Sequence, residues 1–334
     1  MGEVGGQVLR SSLALSLFTS TPLTIIKIRA GRARPGLMRQ HLVAVRAAAD
    51  ISGAEVRGAE LGSTELTFRP GAIRGGEYRF AIGSAGSTTL VFQTVLLPLL
   101  LSTSTPSRLS FEGGTHNPMA PPFDFIQRVY LPVLARMGAR VEVELYSHGF
   151  YPAGGGEWSA RVEPCAKLGP LELLARGAIH AQRARALCAA LPGSVGVRQI
   201  EALVRALGWQ REQCRPEQVA RSRGPGNALL ASIESEHVAE LISGFGERGV
   251  PAEQVASRVA EEVTRYLVAG VPVGEHLADQ LLLPLALGSG GAFRTVKPSL
   301  HSTTQLRLLE AFVGVHASAA EEAADVWRIE VKPS

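Results

Sequence analysis

Four glycine-rich segments, Gly5-Gly6, Gly83-Ser-Ala-Gly-Ser87, Gly113-Gly-Thr115 and Gly154-Gly-Gly156, precede helices or join strands in this sequence. Glycine in such loops lets backbone N–H groups approach an anion that a Cβ would hold off, although each segment also reads as an ordinary turn. Neither a Walker A sequence nor a G-x-G-x-x-G after a strand is present, so the common nucleotide folds are not indicated. Among eight histidines His301 stands apart, because it follows Lys297-Pro-Ser-Leu300 and immediately precedes Ser302-Thr-Thr304, which reads as the N-cap-rich start of the last helix. An imidazole beside the positive end of a helix, where phosphate is also drawn, can attack phosphorus; capping or packing is the other reading. Glu275 and Asp279 are four apart on a helix opened by Gly274 and so share a face, either around a cation or arginine or as a solvated surface. No H-x-x-x-H or H-E-x-x-H spacing occurs, which argues against a catalytic zinc site.

Three similar segments would position these groups. The first has a helix over Arg39–Asp50 followed by strands at Gly53–Arg57 and Glu65–Arg69. The second has a strand Arg108–Glu112, the Gly-Gly-Thr loop, a helix Phe123–Met137, and strands Gly138–Glu144 and Trp158–Val162. The third has Phe293–Val296, a Pro-containing loop, a helix from about Ser302 to Phe312, and a closing strand Val326–Val331. Such repetition predicts an α/β (α+β) fold of three similar units. Between residues 178 and 270 the pattern is interrupted, with helices at Val197–Leu207 and Ala252–Leu267 and a strand at Ala228–Ile233. The expected organisation is a large domain of 1–177 and 271–334 with a smaller domain, 178–270, inserted into it.

With 334 residues, 46% hydrophobic and 19% charged, the chain can bury a sizeable core, and its composition excludes a disordered chain, a collagen and a coiled coil. Cys165, Cys188 and Cys214 form no C-x-x-C pair, which disfavours structural zinc and a disulfide framework. The longest apolar runs, Val95–Leu101 and Leu281–Leu287, are broken by Pro98 and Pro284, and no basic region precedes the first apolar stretch. A soluble cytoplasmic protein with no membrane partner is expected. Charge is uneven: residues 1–49 carry seven basic side chains against the single acid Glu3, a cluster suited to phosphate.

The segment His148-Gly-Phe-Tyr-Pro-Ala-Gly-Gly-Gly156 resembles the signature of the RNA 3′-terminal phosphate cyclase family. Gly5-Gly-Gln-Val-Leu-Arg-Ser11, Ile28–Leu37, Arg39-Gln-His41, Gly83–Ser87, Gly113–Thr115 with Asn117-Pro118, Ala278-Asp-Gln280 and Pro298–His301 resemble it too, in the same order. The likeness runs from Gly2 to about Val331 and is weakest in 178–270. It implies three α/β units of the kind also found in enolpyruvyl transferases, with a smaller inserted domain. The implied activity is ATP-dependent conversion of an RNA 3′-phosphate to a 2′,3′-cyclic phosphate, with Mg2+ or Mn2+. His301 lies at the position of the family's nucleophile, which takes AMP from ATP and passes it to the RNA 3′-phosphate before the 2′-hydroxyl closes the ring.

By the same resemblance Arg10, Arg29 and Arg32 would hold triphosphate or RNA phosphate with Gln40 and His41 nearby, and Glu3 would hold the metal. Gln93, Asp279 and Gln280 would line the nucleotide pocket, with Pro122 on one face of the adenine. The implied partners are RNA 3′-phosphate ends and ATP, with a homodimer left open. Two departures stand out. The chain reads Glu3-Val-Gly-Gly where Glu-Gly-Gly-Gly is usual, without the usual strand before it, and His276 occupies a position where a tyrosine often stacks on adenine. Imidazole offers less stacking area, so weaker ATP binding is expected. Against a non-catalytic, ribosome-biogenesis relative of this family stands His301; against an enolpyruvyl transferase stands the nine-residue signature.

Overall fold

The apolar segment after Gly5 folds as α1 (Gly6–Thr19), whose Leu9, Leu13, Leu15 and Leu17 are all buried. A helix covered on every side carries no apolar stripe, which is why periodicity did not reveal it. The computed structural model describes residues 5–333. After α1 come β1 (Leu23–Ile25), α2 (Arg39–Ser52), β2 (Glu55–Arg57) and β3 (Leu66–Arg69). These strands form an antiparallel sheet of order β1-β3-β2.

The second unit comprises β4 (Glu77–Ala81), α3 (Thr88–Leu101), β5 (Ser107–Gly113), α4 (Phe123–Phe125), a π-helical turn (Ile126–Tyr130), α5 (Leu131–Arg136), β6 (Arg140–Ser147) and β7 (Gly156–Glu163). Its sheet has the order β4-β5-β7-β6, with β4 parallel to β5 and the rest antiparallel. Trp158 of β7 stacks on Phe111 of β5 at 4.2 Å and meets Phe92 of α3 edge-on at 5.2 Å. Its indole N–H also donates to Thr88 Oγ1 at 2.8 Å. That hydrogen bond fixes the start of α3 to the sheet, because a buried indole N–H cannot be left unpaired cheaply.

Next comes β8 (Leu171–Leu173) and then a separate group: β9 (Ile179–Ala189), α6 (Gly193–Leu207), β10 (Cys214–Gln218), β11 (Gly226–Ser235), β12 (Ala239–Phe245) and α7 (Ala252–Ala269). Among the described residues its four strands pair only with one another, in the order β10-β9-β11-β12. Between them and α6 and α7 lies a second apolar cluster that includes Ile200, Leu203, Leu229, Val259 and Val263. The chain resumes with α8 (Glu275–Leu287), β13 (Gly291–Thr295), α9 (Leu300–Val313), β14 (His316–Ala323) and β15 (Val326–Lys332). The sheet order β14-β15-β13-β8, with β8 parallel to β13, repeats the second unit.

Three α/β units therefore share one plan: an inner helix (α1, α3, α8) before a strand, an outer helix, then a hairpin. Among the described residues the first sheet lacks the strand that β4 and β8 supply in the others. The inner helices meet in the large core, which takes residues from all three units. Pro98 and Pro284 lie inside α3 and α8. Among the described residues no helix is long and apolar enough to cross a membrane.

Candidate functional site

The first two turns of five helices are tied together in a chain. Between α8 and α9, Asp279 Oδ1 accepts from Ser299 Oγ at 3.0 Å and from Ser302 Oγ. Between α9 and α1, Gln7 Nε2 donates to Gln305 Oε1 at 2.7 Å. Between α1 and α2, Gly6 lies against His41; an added Cβ would sit 2.6 Å from His41 Nε2. Between α2 and α3, Gln40 Oε1 accepts from the Ser87 N–H at 3.2 Å. Helix N-termini carry unpaired N–H groups and the positive end of the helix dipole, so bringing several together makes a place for an anion.

A cleft of about 420 Å3, counting its solvent-open mouth, opens at this junction. Its lining includes Gln7 and Arg10 of α1, Gln93 of α3, Tyr130, Asp279 and Gln280 of α8, and Gln305 of α9. Gln93, Asp279 and Gln280, expected at the nucleotide, and Arg10, expected at phosphate, all line it. Burial lowers the Arg10 guanidinium to about 10, which leaves it cationic near neutral pH. Burial also raises the Asp279 carboxyl, opposed by its two serine hydroxyls and by His301. Among the described residues Gln93 Nε2 is buried with no hydrogen-bond partner. An orphaned amide donor is costly in an empty site and is satisfied by an acceptor on a ligand, so this cleft suits a polar, anionic molecule such as a nucleotide.

Burial, then Arg10 and Arg29, holds the His41 imidazole near 4, so the ring is neutral. Its Nδ1 accepts the Met38 N–H at 3.2 Å, which leaves the proton on Nε2, beside Gly6 and Arg10. Arg29 is held in the left-handed region at φ 52° while Nη1 donates to the carbonyls of Arg34 (2.7 Å) and Gly36 (3.1 Å). Arg32 is exposed on the same loop.

His301 lies within α9. The cap is Ser299, whose hydroxyl accepts from the Ser302 N–H, so the helix begins at Leu300, two residues earlier than its hydroxyl-rich stretch suggested. Ser302 turns its own hydroxyl to Asp279 instead. His301 is exposed and one turn before Gln305, which puts both on one face of α9; Gln305 lines the cleft and His301 does not.

Of the residues expected at the nucleotide, His276 and Pro122 lie elsewhere, and of the other expected site residues Arg29, Arg32, Gln40, His41 and His301 do not line the cleft. His276 lines a separate cavity with Glu240, Glu262 and Tyr266, its Nε2 4.0 Å from Glu262 Oε1. Pro122 is buried at the start of α4, behind the contact in which Thr89 Oγ1 donates to the Pro121 carbonyl at 2.7 Å. Glu275 lines the cavity of His276, so it and Asp279 do not share a ligand site despite their spacing. Glu3 lies outside the described residues, among which no group of three or more His, Cys, Asp or Glu could hold a metal ion.

Gln7, Tyr130 and Gln305 were missed as a lining group. Amides and a phenol separated by well over a hundred residues carry no local pattern, and only packing brings them together. The segment His148–Gly156 also lines no part of the cleft. A Cβ at Gly149 or Gly156 would collide with backbone of the facing segment, and one at Gly154 would come within 2.7 Å of the Ser84 carbonyl. These glycines bring the segment against the Gly83–Ser87 loop that starts α3. Behind it Thr115 Oγ1 accepts from the Gly149 N–H (2.9 Å) and bonds His116 Nδ1 (2.8 Å), whose Nε2 pairs with Asp124 at 2.9 Å. Arg185 of β9 reaches the same carboxylate at 2.7 Å.

A fold of three like α/β units with a cleft at a junction of helix N-termini defines a phosphate-handling α/β protein. The family model described as RNA 3′-terminal phosphate cyclase matches residues 1–319. Relatives of that name are similar along nearly the whole chain. The protein of Ralstonia nicotianae is 52% identical over 332 residues, covering 99% of this chain and 95% of the relative. That of Pseudomonas fluorescens is 51% identical, covering 98% and 95%, and that of Pseudomonas aeruginosa 54%, covering 94% and 91%. The chain belongs to the RNA 3′-terminal phosphate cyclase family, and it is an enzyme. Among solved structures, an EPSP synthase from Acinetobacter baumannii is similar at 11% identity and a TM-score of 0.29, over 97% of this chain and 62% of that one, too slight a likeness to carry a fold assignment.

Proposed function

We propose that this enzyme uses ATP to convert an RNA 3′-phosphate to a 2′,3′-cyclic phosphate, with His301 as nucleophile. The imidazole attacks the α-phosphorus of ATP, forming an N–P bond as pyrophosphate leaves. An oxygen of the RNA 3′-phosphate then attacks the same phosphorus, breaking the N–P bond and freeing the imidazole. The 2′-hydroxyl next attacks the RNA phosphorus, loses its proton and expels AMP. A phosphate monoester has no good leaving group until AMP supplies one, and covalent catalysis divides the displacement into easier steps.

What supports the reading is the place of His301 one turn before the cleft-lining Gln305, on a helix whose start is tied to the cleft through Asp279. Arg10, the Nε2–H of His41 and the helix N-termini would bind phosphate oxygens, joined by Arg29 and Arg32 toward the RNA, with Gln40 holding the two helix starts together. The orphaned Gln93 amide, Asp279 and Gln280 would hydrogen-bond the nucleoside. A divalent ion, Mg2+ or Mn2+, would neutralise phosphate charge. Residues 178–270 are read as an inserted domain on the strength of their separate sheet and core. The cytoplasm, which supplies both ATP and RNA, is the proposed setting, in keeping with three free cysteines.

The test is incubation with α-labelled ATP and Mg2+ or Mn2+, followed by denaturing electrophoresis. Wild type should carry an acid-labile label that His301→Ala lacks. A wild-type protein without label, or a labelled variant, would sink the assignment.

A further inference from the structure

The glycines of His148–Gly156 are accounted for by close backbone packing, but Tyr151 at its tip is not, since its side chain is 67% exposed. On the adjoining loop Met119 is 97% exposed and held at φ 63°. Both loops rest on the segment that starts α3: Asn117 Nδ2 donates to the Ala85 carbonyl, and Gly154 abuts Ser84. That segment also receives Arg39, whose Nη1 donates to the Gly83 carbonyl at 3.1 Å. Arg39 is exposed, opens α2, and immediately precedes Gln40 and His41 of the anion junction. Beyond the tip, Arg223 packs against Gly155, with its charge engaged by Glu112 at 2.9 Å, so it adds a flat face rather than net charge.

The surface leading away from the junction thus carries an exposed arginine and then an exposed aromatic ring. Single-stranded nucleic acid is held by this pairing, because cations track the backbone and every base has a π-face to stack. We propose that Tyr151, with Met119 on the neighbouring loop, is a stacking platform for a base upstream of the terminal phosphate, and that Arg39 contacts the intervening phosphate. The inference rests on the function proposed above and adds that RNA is gripped beyond its 3′ nucleotide.

The test compares Tyr151→Ala and Tyr151→Phe on a 3′-phosphorylated RNA decamer and on a nucleoside 3′-phosphate, with self-labelling by ATP measured in parallel. Tyr151→Ala should raise the decamer KM about ten-fold, leave the mononucleotide KM and ATP labelling unchanged, and be rescued by Tyr151→Phe. An unchanged decamer KM, or an equal loss on both substrates, overturns the platform. A wild-type protein that takes no label from ATP overturns the proposed function and this inference with it.

Discussion

Gly5 and Gly6 are neighbours, yet alanine should act differently at the two. Gly5 caps α1 with φ −69° and ψ 169°, which any residue adopts, and nothing lies within 4 Å of an added Cβ. At Gly6 the Cβ would stand 2.6 Å from His41 Nε2 and 3.3 Å from Arg10 Nη1. Ordinary contact distances are about 3.5 Å or more, so the ring must retreat by roughly 1 Å. A shift of that size breaks its 3.2 Å bond to the Met38 N–H, costing about 1 kcal/mol. The gain from replacing a helical glycine is of the same size, about 1 kcal/mol, so the two nearly cancel in stability. They do not cancel in function, because misplacing a binding group by about 1 Å costs on the order of 100-fold in rate. Self-labelling with α-labelled ATP should therefore fall about 100-fold in Gly6→Ala and stay within about three-fold of wild type in Gly5→Ala, with similar melting temperatures for all three. Wild-type labelling by Gly6→Ala would refute the claim that His41 and Arg10 are set by the gap at Gly6.

Gln93→Leu removes a buried donor that has no partner among the described residues, so the unliganded protein should be unchanged or stabilised by about 1 kcal/mol in urea unfolding while the KM for ATP rises about ten-fold. A clear loss of stability would mean that Gln93 has a structural partner. The His41 imidazole is near 4 when folded against an ordinary 6.5, so folding is fully favoured above 6.5 and loses up to about 3 kcal/mol as pH falls toward 4. His148, also held near 4 chiefly by burial, acts in the same direction. The urea midpoint should decline through that window in wild type and less steeply in His41→Gln; identical slopes would contradict the burial described for His41.

Much of the outer layer was legible before the fold was known. The outer helix α2, the hairpins, and the helices over 178–270 carry one apolar face against a polar one, and a period records that difference. The inner helices α1 and α3 do not, because both are covered on every side. At α9 the helix begins before the hydroxyl-rich Ser302–Thr304, because Ser299 accepts the Ser302 N–H while donating to Asp279 on another helix, a contact that no local pattern records. The same non-local logic separates His276 from Asp279. They are three apart on α8, but what packs on each side of that helix decides which cavity each enters.

The hydrogen bond between Gln7 and Gln305 spans 298 residues of chain. At roughly 5–20 residues per second, a ribosome needs on the order of 15–60 s to make the second partner after the first. Throughout that interval α1 can pack on α2 and α3 but its α9 side stays uncovered and open to wrong contacts. Because the cleft proposed for ATP exists only when early and late segments meet, a nascent chain stalled before α9 has no such site to fill. Its early segments would instead be a substrate for chaperones, and nucleotide could stabilise only the finished protein.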